Sequence, residues 1–374
     1  MIRVLHVFGV MDRGGAETMI MNVYRNIDKN KIQFDFLCMS SKIGDYDEEI
    51  KKMGGKIFRI SPPAEINYFK HIYDIVRVCR KNGPYQAIHI PTMFHSGIAC
   101  LAAWLAKVPT RIVHSHSASE LNAGIKRKTY NFISRKLINL FSTDKIACGQ
   151  KASDFLFGTS KKTKKEVIIL NNCINVDKYT HVNQKEVDRL RESLNIKDND
   201  IVIGNVANFS KAKNHQFLLK IAKKYFETNK NVKFLLVGDG ILKTEIEKKI
   251  KQDDLGNYVI LLGKREDIHV IMNMIDIFVM PSLHEGFPMT IIEALAAGKK
   301  CILSDTISEE VEVVPDSVKF LSLQDDINVW VKTIQENCVQ KLDKNKVKDI
   351  LFEKGFDITT TTNILEKIYL SKVN

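Results

Sequence analysis

The chain has few cysteines and no closely spaced pair of them. Its seven cysteines are scattered through 374 residues without a Cys-x-x-Cys sequence. Neither a zinc site nor a disulfide framework is therefore expected, and buried thiols in a reducing cytoplasm are the default. No apolar run reaches the length of about 18 residues that suggests a membrane-spanning helix. The sequence enters a strand pattern directly after Met1, so we expect no signal peptide and a cytoplasmic location.

The chain also lacks the Gly-x-Gly-x-x-Gly pattern of a dinucleotide site. Instead, Gly14-Gly15-Ala16-Glu17 follows the first predicted strand. Glycines at this place let a backbone approach a phosphate or a sugar, and the helix that follows offers its N-terminus. Two glycines alone are equally typical of a simple turn.

Acidic residues are scarce in the first half only. Residues 1–177 hold 27 Lys and Arg against 15 Asp and Glu, whereas residues 178–374 hold 29 of each. The whole net charge of +12 therefore belongs to the first half. Such asymmetry favours a polyanionic partner, either a nucleic acid or the anionic face of a membrane, although a generally basic proteome explains it equally well.

Strand and helix signals alternate through both halves, which predicts parallel α/β sheets with short connections. We predict strands at 3–8, 34–39, 57–60, 87–90, 111–114, 145–147, 167–170, 201–205, 233–237, 258–262, 277–280 and 300–304. The polar stretch from 175 to 199 has little strand signal and indicates the boundary between two Rossmann-like domains, with a cleft between them. Residues 359–369 are compatible with a terminal helix.

One segment of the second half places two carboxylates beside a predicted strand end. The buried strand ends at Pro281, and a Gly/Pro loop leads into a helix that closes at Gly298. Glu285 then lies in the loop and Glu293 inside the helix. Open α/β sheets bind ligands at this edge, where Glu285 would accept from sugar hydroxyls and Glu293 from a ribose. The spacing of two glutamates alone would also fit a solvated helix face.

This segment resembles the Glu-x7-Glu signature of the family-4 retaining glycosyltransferases, which use nucleotide-sugar donors. The match includes Glu-Gly-Phe-Pro at 285–288 and Glu-Ala-x-Ala-x-Gly at 293–298. The resemblance implies the GT-B fold, with an acceptor domain at 1–177 and a donor domain at 178–357. It implies that the last helix, about 358–374, packs back onto the first domain. No cofactor and no obligatory metal are implied, because fixed cations serve as counter-charge for the leaving group.

The resemblance also assigns roles to individual residues. It implies that Glu285 and His116 are catalytic, and His95 is a weaker candidate on the acceptor side. We expect His114 to project to the side of the sheet opposite His116. The residues expected to bind the donor are Gly14, Gly15, Asn208, Lys213, Gly238, Lys264, Gly286, Phe287 and Glu293.

Two positions depart from the family pattern. Asn208 stands where the family has an arginine that neutralises the donor diphosphate, while Lys213 matches the family lysine. An amide donates hydrogen bonds but carries no charge, so a weaker hold on the donor, rescue by Lys211 or an inactive copy are all open. Cys173 stands where the family usually has glycine. A tight turn explains the glycine at 238 equally well. For Lys264, an ordinary surface charge is the preferred explanation.

The pattern as a whole resembles bacterial enzymes that build exopolysaccharide or capsule units on polyprenyl-diphosphate-linked sugars. We therefore expect a retaining glycosyltransferase with a UDP-sugar or similar donor and a lipid-linked acceptor. The alternatives are a non-catalytic partner subunit, which Asn208 and Cys173 favour mildly, and a nucleotide-sugar epimerase. A nucleic-acid-binding protein ranks last, because no recognition motif supports it. Basic clusters at 126–128, 135–136 and 161–165 suggest peripheral contact with an anionic membrane, or only a solvated surface.

Overall fold

The computed structural model describes residues 1–62, 65–116, 124–160, 166–285 and 287–371. The chain divides into two compact units, one of Met1–Cys173 with Ile358–Asn374 and the other of Ile174–Asp357. The first unit ends before the expected boundary at 177, because Ile174 and Val176 are buried in the core of the second unit. The Ile174 amide also donates to the Phe356 carbonyl at 2.9 Å.

The first unit is built on a sheet of parallel strands. Its elements in chain order are β1 (Ile2–Phe8), α1 (Gly15–Asn26), β2 (Ile32–Cys38), α2 (Asp47–Lys52), β3 (Ile57–Arg59), α3 (Tyr68–Asn82), β4 (Ala87–Ile90), α4 (Ser96–Leu105), β5 (Thr110–Ser115), α5 (Ile125–Phe141), β6 (Asp144–Ala147), α6 (Gln150–Phe157) and β7 (Val167–Ile169). The strand order is β3-β2-β1-β4-β5-β6-β7. The chain reverses its winding between β1 and β4, so the loops after these strands leave room for a ligand.

The second unit repeats this plan. Its elements in chain order are α7 (Val176–Thr180), α8 (Gln184–Ser193), β8 (Ile201–Val206), α9 (His215–Thr228), β9 (Val232–Val237), α10 (Lys243–Gln252), β10 (Val259–Gly263), α11 (Ile268–Met274), β11 (Ile277–Met280), α12 (Met289–Ala296), β12 (Lys300–Ser304), β13 (Val318–Leu321), α13 (Ile327–Asn337) and α14 (Lys344–Glu353). The strands are parallel in the order β10-β9-β8-β11-β12-β13, with the switch between β8 and β11.

The apolar runs form strands because helices cover both faces of each sheet. Val4 and Phe34 belong to one core cluster, whereas Leu5 and Leu37 of the same two strands belong to another. A strand with two covered faces needs an unbroken apolar sequence rather than an alternating one. The expected architecture of two parallel α/β sheets is therefore confirmed.

The last helix, α15 (Ile358–Leu370), belongs to the first unit. The Tyr369 side chain is fully buried, and its hydroxyl lies 2.7 Å from His89 Nδ1. About one turn earlier in the helix, the Glu366 carboxylate accepts a hydrogen bond from the Asp28 amide at 3.1 Å. The end of the chain is thus fastened to the first sheet by both apolar and polar contacts.

Candidate active site

The loops after β8 and β11 lie side by side at the switch point of the second sheet. The Leu283 amide donates to the Ala212 carbonyl at 2.7 Å. The Asn214 side-chain amide donates to the Pro281 carbonyl at 3.0 Å. Asn214 itself has a left-handed backbone, with φ of 53°, which turns the first loop into α9. The two loops are therefore held as one structure at the edge where α/β sheets bind ligands.

Lys213 and Glu285 form an ion pair across these two loops. Lys213 Nζ contacts Glu285 Oε1, and the side chains are only 19% and 10% exposed. Ser282 Oγ donates to the same oxygen at 2.9 Å. The Ser282 carbonyl in turn accepts from the hydroxyls of Ser304 and Thr306, both at 2.6 Å. The structure thus brings together a cation and a carboxylate that the sequence predicted separately.

Glu293 is partly buried on α12. Burial raises the pKa of its carboxyl to about 7, although a hydrogen bond from Tyr179 and the charge of Lys178 act in the opposite direction. Near neutral pH the group therefore exists in both its protonated and its ionised form. Tyr179 lies on α7 and is 8% exposed. Sequence reasoning missed this tyrosine, because nothing in its neighbourhood marks it as a partner of Glu293.

Asn208 and Gly238 lie in neighbouring loops of the second unit. Asn208 is exposed, and its side-chain oxygen accepts from Ser210 Oγ at 3.0 Å. Gly238 has a φ of +142°, and a Cβ there would collide with the Ala207 carbonyl oxygen. Its amide already donates to the Gly263 carbonyl at 2.9 Å. Packing between loops is thus enough to require glycine at 238, whereas donor binding by either residue stays a prediction.

The other residues of this unit that are expected to bind the donor are Lys264, Phe287 and Gly286, and their environments differ. Lys264 is exposed, while the next residue, Arg265, is engaged by the Asp267 carboxylate at 2.8 and 2.5 Å. Phe287 packs on the core of the unit and stacks on Phe356, with ring centroids 5.5 Å apart. Gly286 lies outside the described residues.

Gly14 and Gly15 lie at the start of α1 in the first unit. The Glu17 carboxylate folds back over Gly14, so a Cβ at Gly14 would collide with it. Burial raises the pKa of that carboxyl. At Gly15, by contrast, a Cβ would meet nothing within 4 Å. Gly15 therefore has open space beside it at a helix N-terminus, whereas donor binding by either glycine stays a prediction.

His116 follows β5, and the expectation about its neighbour His114 is wrong. The rings of His114 and His116 lie on the same side of the sheet, with centroids 3.8 Å apart. The physical reason is the strand period of two residues, which puts residues i and i+2 on one face. Burial lowers the pKa of His116 to about 4, so its imidazole is neutral at physiological pH. His116 Nδ1 lies 3.1 Å from Asn172 Oδ1.

The histidines of the first unit form two separate groups. His114 Nδ1 lies 3.1 Å from His89 Nε2, whose other ring nitrogen contacts Tyr369. His95, the weaker candidate, lies elsewhere and contacts His71 at 2.9 Å. Sequence reasoning missed His89, because a histidine inside an apolar strand gives no signal of its own.

The part of the chain that the structure describes has neither a cluster of metal ligands nor a helix that could span a membrane. No group of three or more His, Cys, Asp or Glu side chains there could hold a metal ion. Asp-x-Asp sequences occur at 45–47 and 198–200. Asp47 is paired with Arg59, and the Asp200 carboxylate accepts from the Lys197 amide at 2.8 Å. No helix within these residues is long and apolar enough to cross a membrane.

Two family profiles together cover most of the chain. Glycosyltransferase Family 4 matches residues 13–203, and Glycosyl transferases group 1 matches residues 186–346. The first profile spans the site of His116, and the second spans Lys213, Glu285 and Glu293. The candidate residues of each unit thus lie within regions that match these families.

Full-length relatives show the same similarity. EpsF of Bacillus subtilis is 39% identical over 98% of this chain and 96% of its own length. The capsular polysaccharide biosynthesis glycosyltransferase CapH of Staphylococcus aureus is 27% identical over 100% of this chain and 99% of its own. The UDP-Gal:alpha-D-GlcNAc-diphosphoundecaprenol alpha-1,3-galactosyltransferase of Escherichia coli is 24% identical over 100% and 97%.

Among solved structures, HepE of Anabaena in complex with UDP is similar over the full length of both chains. The TM-score is 0.77 at 18% sequence identity. A likeness at this level of identity concerns the fold, and it agrees with the two parallel sheets described above.

Proposed function

This chain belongs to glycosyltransferase family 4, and on that premise we propose that it moves a sugar, with retention of anomeric configuration, from a nucleotide-diphosphate sugar to a polyprenyl-diphosphate-linked polysaccharide precursor. Membership of this family makes the chain a glycosyltransferase of polysaccharide biosynthesis. The proposal adds the chemistry of the donor and of the acceptor. We therefore prefer a transferase to the two alternatives, an epimerase and a non-catalytic subunit.

The observation that carries the proposal is the pair of Lys213 and Glu285 at the switch point of the second sheet. A nucleotide sugar presents a diphosphate beside a polyhydroxylated ring. A lysine is suited to the diphosphate, and a carboxylate is suited to the hydroxyls. Lys213 and Glu285 are adjacent in the structure, just as the diphosphate and the sugar ring are adjacent in the ligand. We therefore assign the donor to the second unit, with Lys213 as counter-charge for the departing phosphate.

Glu293 and His116 complete the assignment. Glu293 lies about one turn into the helix that follows the Glu285 loop, and it would accept from the donor ribose in its ionised form. His116 belongs to the first unit, to which we assign the acceptor. As a neutral imidazole it would bind a saccharide hydroxyl. UDP-containing structures of HepE and the name of the Escherichia coli relative support a UDP-sugar donor and an undecaprenyl-diphosphate acceptor.

The proposed acceptor is a membrane lipid, and the first unit has a surface suited to a membrane. Every Phe, Tyr or Trp side chain that is exposed in the described part of the chain lies on α3, α4 or α5. These are Tyr68, Phe69, Tyr73, Trp104 and Phe132, and Phe69 is 86% exposed.

Helix α5 adds five basic side chains and no acidic one to this surface. One of the five, Arg135, is committed to the structure, because it donates to the carbonyls of Phe155 and Leu156. The cluster at 161–165 lies outside the described residues. Aromatic rings beside lysines and arginines are typical of helices that lie at an anionic lipid interface.

A screen for ligands tests the donor assignment. UDP, GDP, ADP and their common sugar conjugates are each added to the protein, and thermal unfolding is followed. At least one conjugate should raise the melting temperature and should then transfer its sugar to polyprenyl lipids extracted from membranes. Interconversion of the free donor without any acceptor would indicate an epimerase. Binding without turnover would indicate a non-catalytic subunit.

Vesicle co-sedimentation tests the membrane assignment. Binding should require anionic lipid, weaken with salt, and fall when Phe69 and Phe132 are both replaced by serine. Ile241→Ser, at a 92% exposed position of the second unit, is the matched control and should not change binding. Equal binding to neutral vesicles, or no effect of the double substitution, would exclude this surface.

A further inference from the structure

Asn172 is a residue of the first unit that the assignments above leave unused. It follows β7 and contacts His116, which follows β5, at 3.1 Å between Oδ1 and Nδ1. The other ring nitrogen of His116, Nε2, is buried and has no hydrogen-bond partner among the described residues. One side of the imidazole is therefore held by Asn172, and the other side has no partner in the part of the chain that the structure describes.

The contact with Asn172 determines where the imidazole proton lies. An amide oxygen only accepts hydrogen bonds, so Nδ1 must carry the proton of the neutral ring. Nε2 then has a lone pair and can only accept. A buried acceptor that lacks a partner costs about 1–3 kcal/mol. A ligand hydroxyl that donates to Nε2 would remove this cost.

The plane of the His116 ring is held by a second contact. Its face lies against His114, whose Nδ1 is 3.1 Å from His89 Nε2. His89 is fixed in turn by the Tyr369 hydroxyl of α15. His114 and His89 are the titratable groups that face His116, and burial lowers the pKa of both, that of His89 to about 3. Both rings are therefore neutral, so neither carries a positive charge that would oppose a hydroxyl donating a hydrogen bond to His116 Nε2.

We propose that Asn172 is a positioning residue that keeps His116 in the Nδ1–H tautomer, with Nε2 ready to accept a hydrogen bond from a saccharide hydroxyl. Asn172 itself does not touch the sugar. That the hydroxyl belongs to a saccharide rests on the proposed function, whereas the tautomer of His116 does not depend on it. The inference can therefore fail while the function stands, and the reverse also holds.

Nitrogen NMR of the full-length protein, labelled with ¹⁵N-histidine, tests the tautomer directly. The His116 signals are identified by their loss in His116→Gln. The wild-type ring should be protonated at Nδ1 and should remain neutral at pH 6. Asn172→Ala should move the proton toward Nε2. Asn172→Asp should raise the pKa of His116 by at least one unit, because a carboxylate stabilises the imidazolium.

Asn175→Asp is the matched control. It makes the same chemical change three residues later, where the asparagine oxygen caps α7 and an aspartate serves equally well. This control should leave the His116 signals unchanged. A wild-type ring protonated at Nε2, or a ring that responds equally to both aspartates, would overturn the proposal. The wild-type result needs no variant, so a variant that fails to fold does not leave the proposal untested.

Kinetics separate positioning from a purely structural role. In the transfer assay, Asn172→Ala should lower kcat about tenfold or more while the KM for the donor changes little, because the charged groups proposed to hold the donor, Lys213, Glu285 and Glu293, lie in the second unit. Asn172→Asp should shift the acidic limb of the pH–rate profile upward, since a protonated His116 cannot accept a hydrogen bond. Wild-type kcat and pH profile in both variants would contradict the role. Absence of any transfer by the wild type would instead count against the proposed function.

Discussion

Removing the negative charge of Glu285 should tighten the binding of UDP. In the unliganded protein Lys213 is engaged by Glu285, so a diphosphate must compete with a carboxylate for this cation. Glu285→Gln keeps the shape of the side chain and removes the charge. A hydrogen bond that involves a charged group contributes about 1.5–3 kcal/mol, and Lys213 retains some solvent contact. We therefore expect UDP to gain about 1–2 kcal/mol, or about 5- to 30-fold in Kd.

The assay is calorimetric titration of the wild type and of Glu285→Gln with UDP and with the intact donor. The intact donor should gain less than UDP, because its sugar loses the carboxylate partner. Asp305→Asn is the matched control, since it removes an exposed carboxylate at the end of the adjacent strand β12. It should change the Kd for UDP by less than about twofold, because exposed charges are screened. In a Lys213→Met background, Glu285→Gln should no longer tighten UDP. Unchanged or weaker UDP binding by Glu285→Gln would refute the reasoning.

Three further predictions concern glycines and buried histidines. Gly238→Ala should lower the free energy of unfolding in urea by about 2–4 kcal/mol, because its Cβ would meet the Ala207 carbonyl at a strained φ; a loss below about 0.5 kcal/mol would contradict the packing role. Gly15→Val should leave thermal unfolding nearly unchanged but abolish transfer, since its side chain would fill open space at the start of α1; full activity would show that no ligand approaches there. Stability should fall as the pH drops from about 6.5 to 4, because the unfolded chain binds a proton at His89 that the folded protein does not bind. This residue should contribute about 1.4 kcal/mol per pH unit to the slope. His89→Gln should reduce the slope by that amount, and an unchanged slope would contradict its origin.

The sequence predicted those features that depend on neighbouring residues. The largely apolar segments at β1 and β2 and the unbroken apolar run at β11 predicted strands, and Glu285 was expected at a carboxyl edge because it follows the run of β11. The strand β13 was missed, since Val318–Leu321 is short and includes an exposed lysine. The helices α7 and α8 were missed because the stretch from 175 to 199 is polar.

Contacts between distant residues could not be predicted in this way. The pairing of Lys213 with Glu285 depends on backbone hydrogen bonds between two loops, such as the one from Leu283 to Ala212. The contact between Asn172 and His116 depends on the strand order, which puts β7 beside β6 and β6 beside β5. The side of His114 was within reach of sequence reasoning, because the strand period of two residues already places it with His116.

A crystal structure of the protein with its nucleotide-sugar donor would test the central claim most directly. We predict that a diphosphate oxygen lies about 3 Å from Lys213 Nζ, that Lys213 no longer contacts Glu285, and that a sugar hydroxyl donates to the Glu285 carboxylate. A donor bound away from the loops that follow β8 and β11, with the Lys213–Glu285 ion pair intact, would contradict the account.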